Sequence, residues 1–119
     1  MTFRALYLAP VPAMLAAAPA MAAKLVVAAP APRAVVALPP RVLVLSFSAA
    51  PQVNFSEVTV TNAASDNPVP TGRPQAVNGQ PFELVVPVSI TQPGRYVVNW
   101  QIRAYNQHST GSYSFTVTQ

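Results

Sequence analysis

A single imidazole, His108, stands in the polar run Asn106-Gln107-His108-Ser109-Thr110 of this 119-residue chain. An imidazole can move a proton or hold a metal through a ring nitrogen, but either task needs co-operating groups. The chain has no cysteine, so thiolate chemistry, disulfides and Cys-based zinc sites are excluded. It has three acids, Glu57, Asp66 and Glu83, widely spaced along the sequence. Glu57 and Glu83 fall on outward strand phases and Asp66 in a loop, which does not suit a paired-carboxylate hydrolase. Serine and threonine are plentiful, yet only His108 could serve them as a base. There is no G-x-S-x-G elbow and no glycine-rich phosphate loop. The residue types therefore point away from an enzyme, towards a binding protein.

The positive charge is thin. Seven Lys and Arg against three acids give a net charge of +4, but the basic residues are not clustered. Nucleic-acid binding draws on basic clusters, so it is not expected. Residues 1–22 form a segment of their own. Arg4 is followed by an uncharged run from Ala5 to Ala23 that ends in the small-residue sites Ala18-Pro19-Ala20 and Ala20-Met21-Ala22. A positive start, an apolar stretch and a small-residue exit describe a secretory signal peptide. Pro10 and Pro12 make the stretch a poor spanning helix. Cleavage after Ala22 leaves Ala23 as the first residue of a domain over 23–119, with no membrane span after processing. Met1, Met14 and Met21 all lie in the leader, so the processed chain contains no methionine.

The rest of the chain must position His108. Fourteen prolines disfavour a helical bundle, because proline lacks an N–H and clashes inside a helix. Period-two alternation predicts strands over Lys24–Ala29, Phe55–Thr61, Phe82–Val88, Arg95–Tyr105 and Gly111–Thr118. Arg41–Ser48 is nearly continuous in apolar residues, which predicts burial on both sides or a sheet crossing. Pro30, Pro32, Pro39 and Pro40 mark a link with extended or edge structure. Asn62–Gln80 reads as a loop with room for a short edge strand, and Gln92-Pro93-Gly94 as a tight turn. Inward phases fall on Val58 and Val60; on Phe82, Leu84, Val86 and Val88; on Tyr96, Val98, Trp100, Ile102 and Ala104; and on Tyr113, Phe115 and Val117. Trp100 then plugs the core. The expectation is an all-β antiparallel sandwich of about seven strands.

The C-terminal third carries a resemblance. Pro93-Gly94-Arg95-Tyr96-Val97-Val98-Asn99-Trp100 is similar to the P-G-x-Y-x-V-x-W strand of the CopC copper-resistance family. The tract from Trp100 through Asn106, His108 and Gly111 to Phe115 and Val117 resembles the family's W-x-x-x-S-x-D-x-H-P-x-x-G-x-x-x-F-x-V. Phe47-Ser48 resembles its L-x-F-S strand, and Phe55-Ser56-Glu57-Val58-Thr59-Val60 its F-x-x-V-x-V strand. Lys24-Leu25-Val26 followed by Pro30-Ala31 resembles its mature start, H-x-x-L-x-x-x-x-P-A.

The resemblance implies an immunoglobulin-like sandwich in a periplasmic copper-homeostasis protein that works beside an inner-membrane copper-uptake partner. In the family, Cu(II) is held by an amino-terminal His and by the Asp and His of D-x-H. Carried over, the first His falls at Ala22, the Asp at Asn106 and the second His at His108. Ser109 replaces the following Pro, and the loop to Gly111 is one residue shorter. The candidate metal ligands are therefore His108, the weaker Asn106, and the amine of a mature Ala23. A methionine-rich Cu(I) site is ruled out, because soft thioether donors are absent from the processed chain. The expected site is a degraded one that binds Cu(II) weakly or not at all. The alternative is a metal-free periplasmic module that binds a protein through its sheet surfaces.

Overall fold

The computed structural model describes residues 22–119. The expected leader over 1–22 lies, but for Ala22, outside the described residues. Nine strands form two facing sheets. They are β1 (Leu25–Ala29), β2 (Val35–Val36), β3 (Val42–Phe47), β4 (Glu57–Asn62), β5 (Pro68–Val69), β6 (Gln75–Val77), β7 (Gln80–Pro87), β8 (Gly94–Ala104) and β9 (Gln107–Val117). One sheet has the order β1-β3-β7-β6 and the other β2-β9-β8-β4-β5. A single 3-10 turn, Val53–Phe55, precedes β4.

The core is the set of inward residues that alternation demands. Leu43, Leu45 and Phe47 of β3 and Leu84 and Val86 of β7 face Val58 and Val60 of β4. Tyr96, Val98, Trp100, Ile102 and Ala104 of β8 and Tyr113, Phe115 and Val117 of β9 join it, with Ala23, Ala28, Ala49 and Ile90 from outside these strands. Burying a large side chain of this kind stabilises by about 1.5–3 kcal/mol, which lets one small core hold the sandwich without disulfides. Trp100 meets Phe47 edge-to-face at 5.2 Å between ring centroids. Gly111 lies opposite it in the ladder. A Cβ on Gly111 would come within 2.3 Å of the indole, so only glycine leaves the ring its place.

Several expectations are corrected. Among the described residues there are nine strands rather than about seven, because the proline-rich links contribute two- and three-residue edge strands β2, β5 and β6. Pairing is not antiparallel throughout, since β2 runs parallel to β9. β3 is not buried on both sides. Its alternate residues Val42 and Val44 lie on the outer side, Val42 exposed and Val44 half-buried. Phe82 has an inward phase but lies near the start of β7, where little packs over it, and is exposed.

The β8–β9 hairpin decides where His108 points. All eleven residues of β8 pair with the eleven of β9 in unbroken register, from Gly94↔Val117 to Ala104↔Gln107. The loop is only Tyr105-Asn106, with φ of 53° and 60°. Two central residues at positive φ make a type I′ turn, whose twist matches that of the strands. β9 therefore begins at Gln107 and not at Gly111. His108 is a strand residue rather than part of a polar turn.

Candidate metal centre

Strand alternation assigns every residue near the hairpin tip to a face. On β9, Gln107, Ser109 and Gly111 share the inner face with Tyr113, while His108, Thr110 and Ser112 share the outer face. The Ser109 hydroxyl donates a 2.7 Å hydrogen bond to the carbonyl of Ala23. Ala23 is buried at 1% exposure. The next residue, Lys24, is fixed in turn. Its N–H donates to the Ser48 hydroxyl, and its carbonyl accepts from the Ser48 N–H, both at 2.8 Å. Ala23 and Lys24 are thus anchored, Ala23 on the inner side of β9 and Lys24 on Ser48.

His108 projects the other way. It stands opposite Arg103 on the outer face and is exposed. Asn106 occupies the second position of the turn, where its left-handed backbone suits asparagine better than most residues. The structure therefore does not gather the three sequence candidates. Ala23 packs inside, His108 points outside, and Asn106 sits at the tip between them.

Other residues do accompany His108. Ser56 is buried and clamps the 3-10 turn onto β8. Its hydroxyl donates to the Gln52 carbonyl at 2.8 Å and accepts from the Arg103 N–H at 3.4 Å. The Gln52 N–H donates to the Arg103 carbonyl at 2.8 Å. This places the Phe55 ring under the Arg103 guanidinium, 5.3 Å from its centroid, a cation–π contact. Beside it, Asn54, Phe55, Ser56, Glu57, Gln101 and His108 line an open recess of about 250 Å³. Glu57 pairs with Gln101 across the sheet, and Gln101 is the diagonal neighbour of His108. Sequence reasoning assigned Glu57 to a solvated face, which it occupies. It did not bring Glu57 to His108, because that juxtaposition depends on the β4–β8–β9 register. Asp66 lies in the turn after β4 and Glu83 on the opposite sheet. Among the described residues no three of His, Cys, Asp and Glu gather to hold a metal ion.

Two buried polar atoms on the inner face, Trp100 Nε1 and Tyr113 Oη, have no protein partner. Burial pushes the Tyr113 phenol up to about 12 from its ordinary value of 10. No helix among the described residues is long and apolar enough to cross a membrane.

Two sheets packed face to face, with a recess on the outer surface of one, define a small β-sandwich. The CopC domain model matches residues 25–118. The chain belongs to the CopC family, whose members are non-enzymatic copper-binding proteins. Among solved structures it is similar to CopC from Methylosinus trichosporium OB3b, with a TM-score of 0.74 and 24% identity over 81% of this chain and 93% of that one. It is also similar to PcoC, a methionine-rich copper resistance protein from Escherichia coli. That match has a TM-score of 0.72 and 27% identity over 82% of this chain and all of that one. No curated protein sequence matches. In contrast to the methionine-rich PcoC, residues 22–119 of this chain contain no methionine.

Proposed function

We propose that the protein is a periplasmic copper-homeostasis protein with a reduced Cu(II) site, in which His108 is the surviving inherited ligand. The separation of His108 from Ala23 on opposite faces of β9 carries this reading. An amine and an imidazole held apart cannot close a chelate around one ion, and Asn106 offers only a neutral amide oxygen in place of a carboxylate. Cu(II) favours tetragonal nitrogen and oxygen donors, so what is left binds weakly. The leader over 1–22 supports export, and an inner-membrane copper-uptake protein is the partner that family membership suggests.

A Cu(II) titration of the purified exported protein, followed by d–d absorbance, tests the reading. Saturable one-to-one binding at micromolar or weaker affinity, lost in His108→Ala, is expected. Absence of binding, or equal binding by the variant, would overturn it.

A second reading, a metal-free module that binds a protein, is favoured by Val26, Val27, Val35 and Leu38, each more than 60% exposed. Retention of an envelope protein on immobilised wild-type and His108→Ala protein alike, with no copper bound by either, would support it.

A further inference from the structure

We propose that Cu(II) is held in the outer-face recess by His108 together with Glu57, with the Gln101 side-chain oxygen between them. This rests on the reading of the chain as a copper binder, and it replaces Ala23 and Asn106 as co-ligands.

The argument starts from what the sheet brings together. His108 and Glu57 line the same recess, and Gln101 lies between them as cross-strand partner of Glu57 and diagonal neighbour of His108. Directly opposed residues in a sheet stand about 5 Å apart at Cβ and diagonal ones about 7–8 Å, which puts Gln101 within side-chain reach of both. Glu57 and His108 stand two strands apart and share the recess rather than a cross-strand pair. The recess thus offers one imidazole nitrogen, one carboxylate and one amide oxygen, leaving other positions to water. The carboxylate matters most, since it restores the negative charge that Asn106 lacks.

The nearest fixed positive charge is turned aside. Arg103 stands opposite His108, but its guanidinium rests on the Phe55 ring and does not line the recess. The Ser56 clamp holds Phe55 there. The donors also choose the metal. So sparse a set of nitrogen and oxygen ligands holds best the ion at the top of the divalent affinity series, which is Cu(II). Residues 22–119 contain no thiolate or thioether to favour Cu(I).

The test is a Cu(II) titration of the purified exported protein beside four variants, with EPR spectra of each complex. His108→Ala abolishes binding. Glu57→Gln weakens it at least about tenfold and shifts the parallel g and hyperfine values, given that even outer partners of metal ligands are worth about 10–100-fold. Gln101→Glu adds a second carboxylate and tightens binding, a gain that misfolding cannot mimic. Glu83→Gln, on the other sheet, binds as wild type does. If Glu57→Gln and Gln101→Glu bind as wild type while His108→Ala does not, the recess is overturned and the copper reading stands. If the wild-type protein itself fails to bind, the copper reading fails and the recess with it.

Discussion

On its inner face the β8–β9 hairpin carries Tyr96, Val98, Trp100, Ile102, Tyr113, Phe115 and Val117, all buried. On its outer face the same strands carry Asn99, Gln101, Arg103, His108, Thr110 and Ser112, partly or fully exposed. The inner residues are fixed by shape. The Trp100 ring lies over Gly111 and against Phe47, and Tyr96 stacks on Phe115. Tyr96 also donates its hydroxyl to the Gln92 carbonyl at 2.6 Å, tying down the turn that leads into β8. The outer residues meet few such demands, and substitutions there are free to change chemistry. One hairpin thus separates a face that holds the fold from a face left open to solvent.

Substitutions on either face can break this division. Trp100→Ala should have the largest effect, about 3–5 kcal/mol of lost stability, as expected for a large aromatic removed from a core. Urea unfolding measures it. A loss below 1 kcal/mol would mean the indole is not a structural plug.

Gly111→Ala should cost about 1–3 kcal/mol, because the added methyl drives into the indole and a packed core does not yield easily. A neutral result would show that Trp100 has a second resting place.

Tyr113 sharpens the comparison through pH. Its phenol titrates at about 12 when folded and about 10 when unfolded. Below pH 10 both states keep the proton and nothing is lost. Between pH 10 and 12 the unfolded chain releases a proton that the folded chain retains, so stability falls as pH rises, by on the order of 1–3 kcal/mol. Tyr113→Phe should remove that contribution and, by deleting a buried hydroxyl without a protein partner, leave neutral-pH stability unchanged or slightly higher. Unfolding midpoints at pH 8 and pH 11 for both proteins check this.

The tip belongs to neither face. Replacing Tyr105→Asn and Asn106→Gly together gives the pair that type I′ turns favour. It should stabilise by about 1 kcal/mol, a rise of roughly 4–8 °C in Tm for a domain of this size. It should leave Cu(II) binding intact, and weaker binding would return Asn106 to the ligand set.

The smallest effects belong to the outer face. His108→Ala and Glu57→Gln should each move stability by no more than about 0.5 kcal/mol, whatever they do to copper. A larger loss would make the recess part of the fold's support.

Much of this was legible in the residues. Alternation placed Tyr96 through Ala104 and Tyr113 through Val117 on one inner face, and the structure buries them all. The two-sheet architecture and the core position of Trp100 followed from the same phase. The hairpin tip was not legible. Asparagine accepts a left-handed backbone, but tyrosine gives no such signal, and the Asn-Gly or Gly-Gly pair that announces a two-residue turn is missing. The strand that alternation predicts from Gly111 therefore starts four residues after β9 does, and leaves His108 outside it. Glu57 could not be joined to His108 for a related reason. Their meeting depends on two strand registers, and registers are fixed by turns and by the packed face rather than by the outward residues themselves. The short edge strands β2, β5 and β6 have too few residues to show any period.

The two-residue turn makes the imidazole's address a matter of parity. Each residue added between His108 and Gly111 moves His108 one place back along the strand while Gly111 stays locked beneath Trp100. One added residue, the length found in the family tract, turns the imidazole to the side where Ser109 now binds Ala23. A second would turn it back. An insertion of three nucleotides can therefore do what no single base change at His108 could: carry an intact ligand from one side of the sheet to the other. One residue more or fewer ahead of Gly111 thus moves the imidazole between the two faces of the sheet with the side chain itself unchanged.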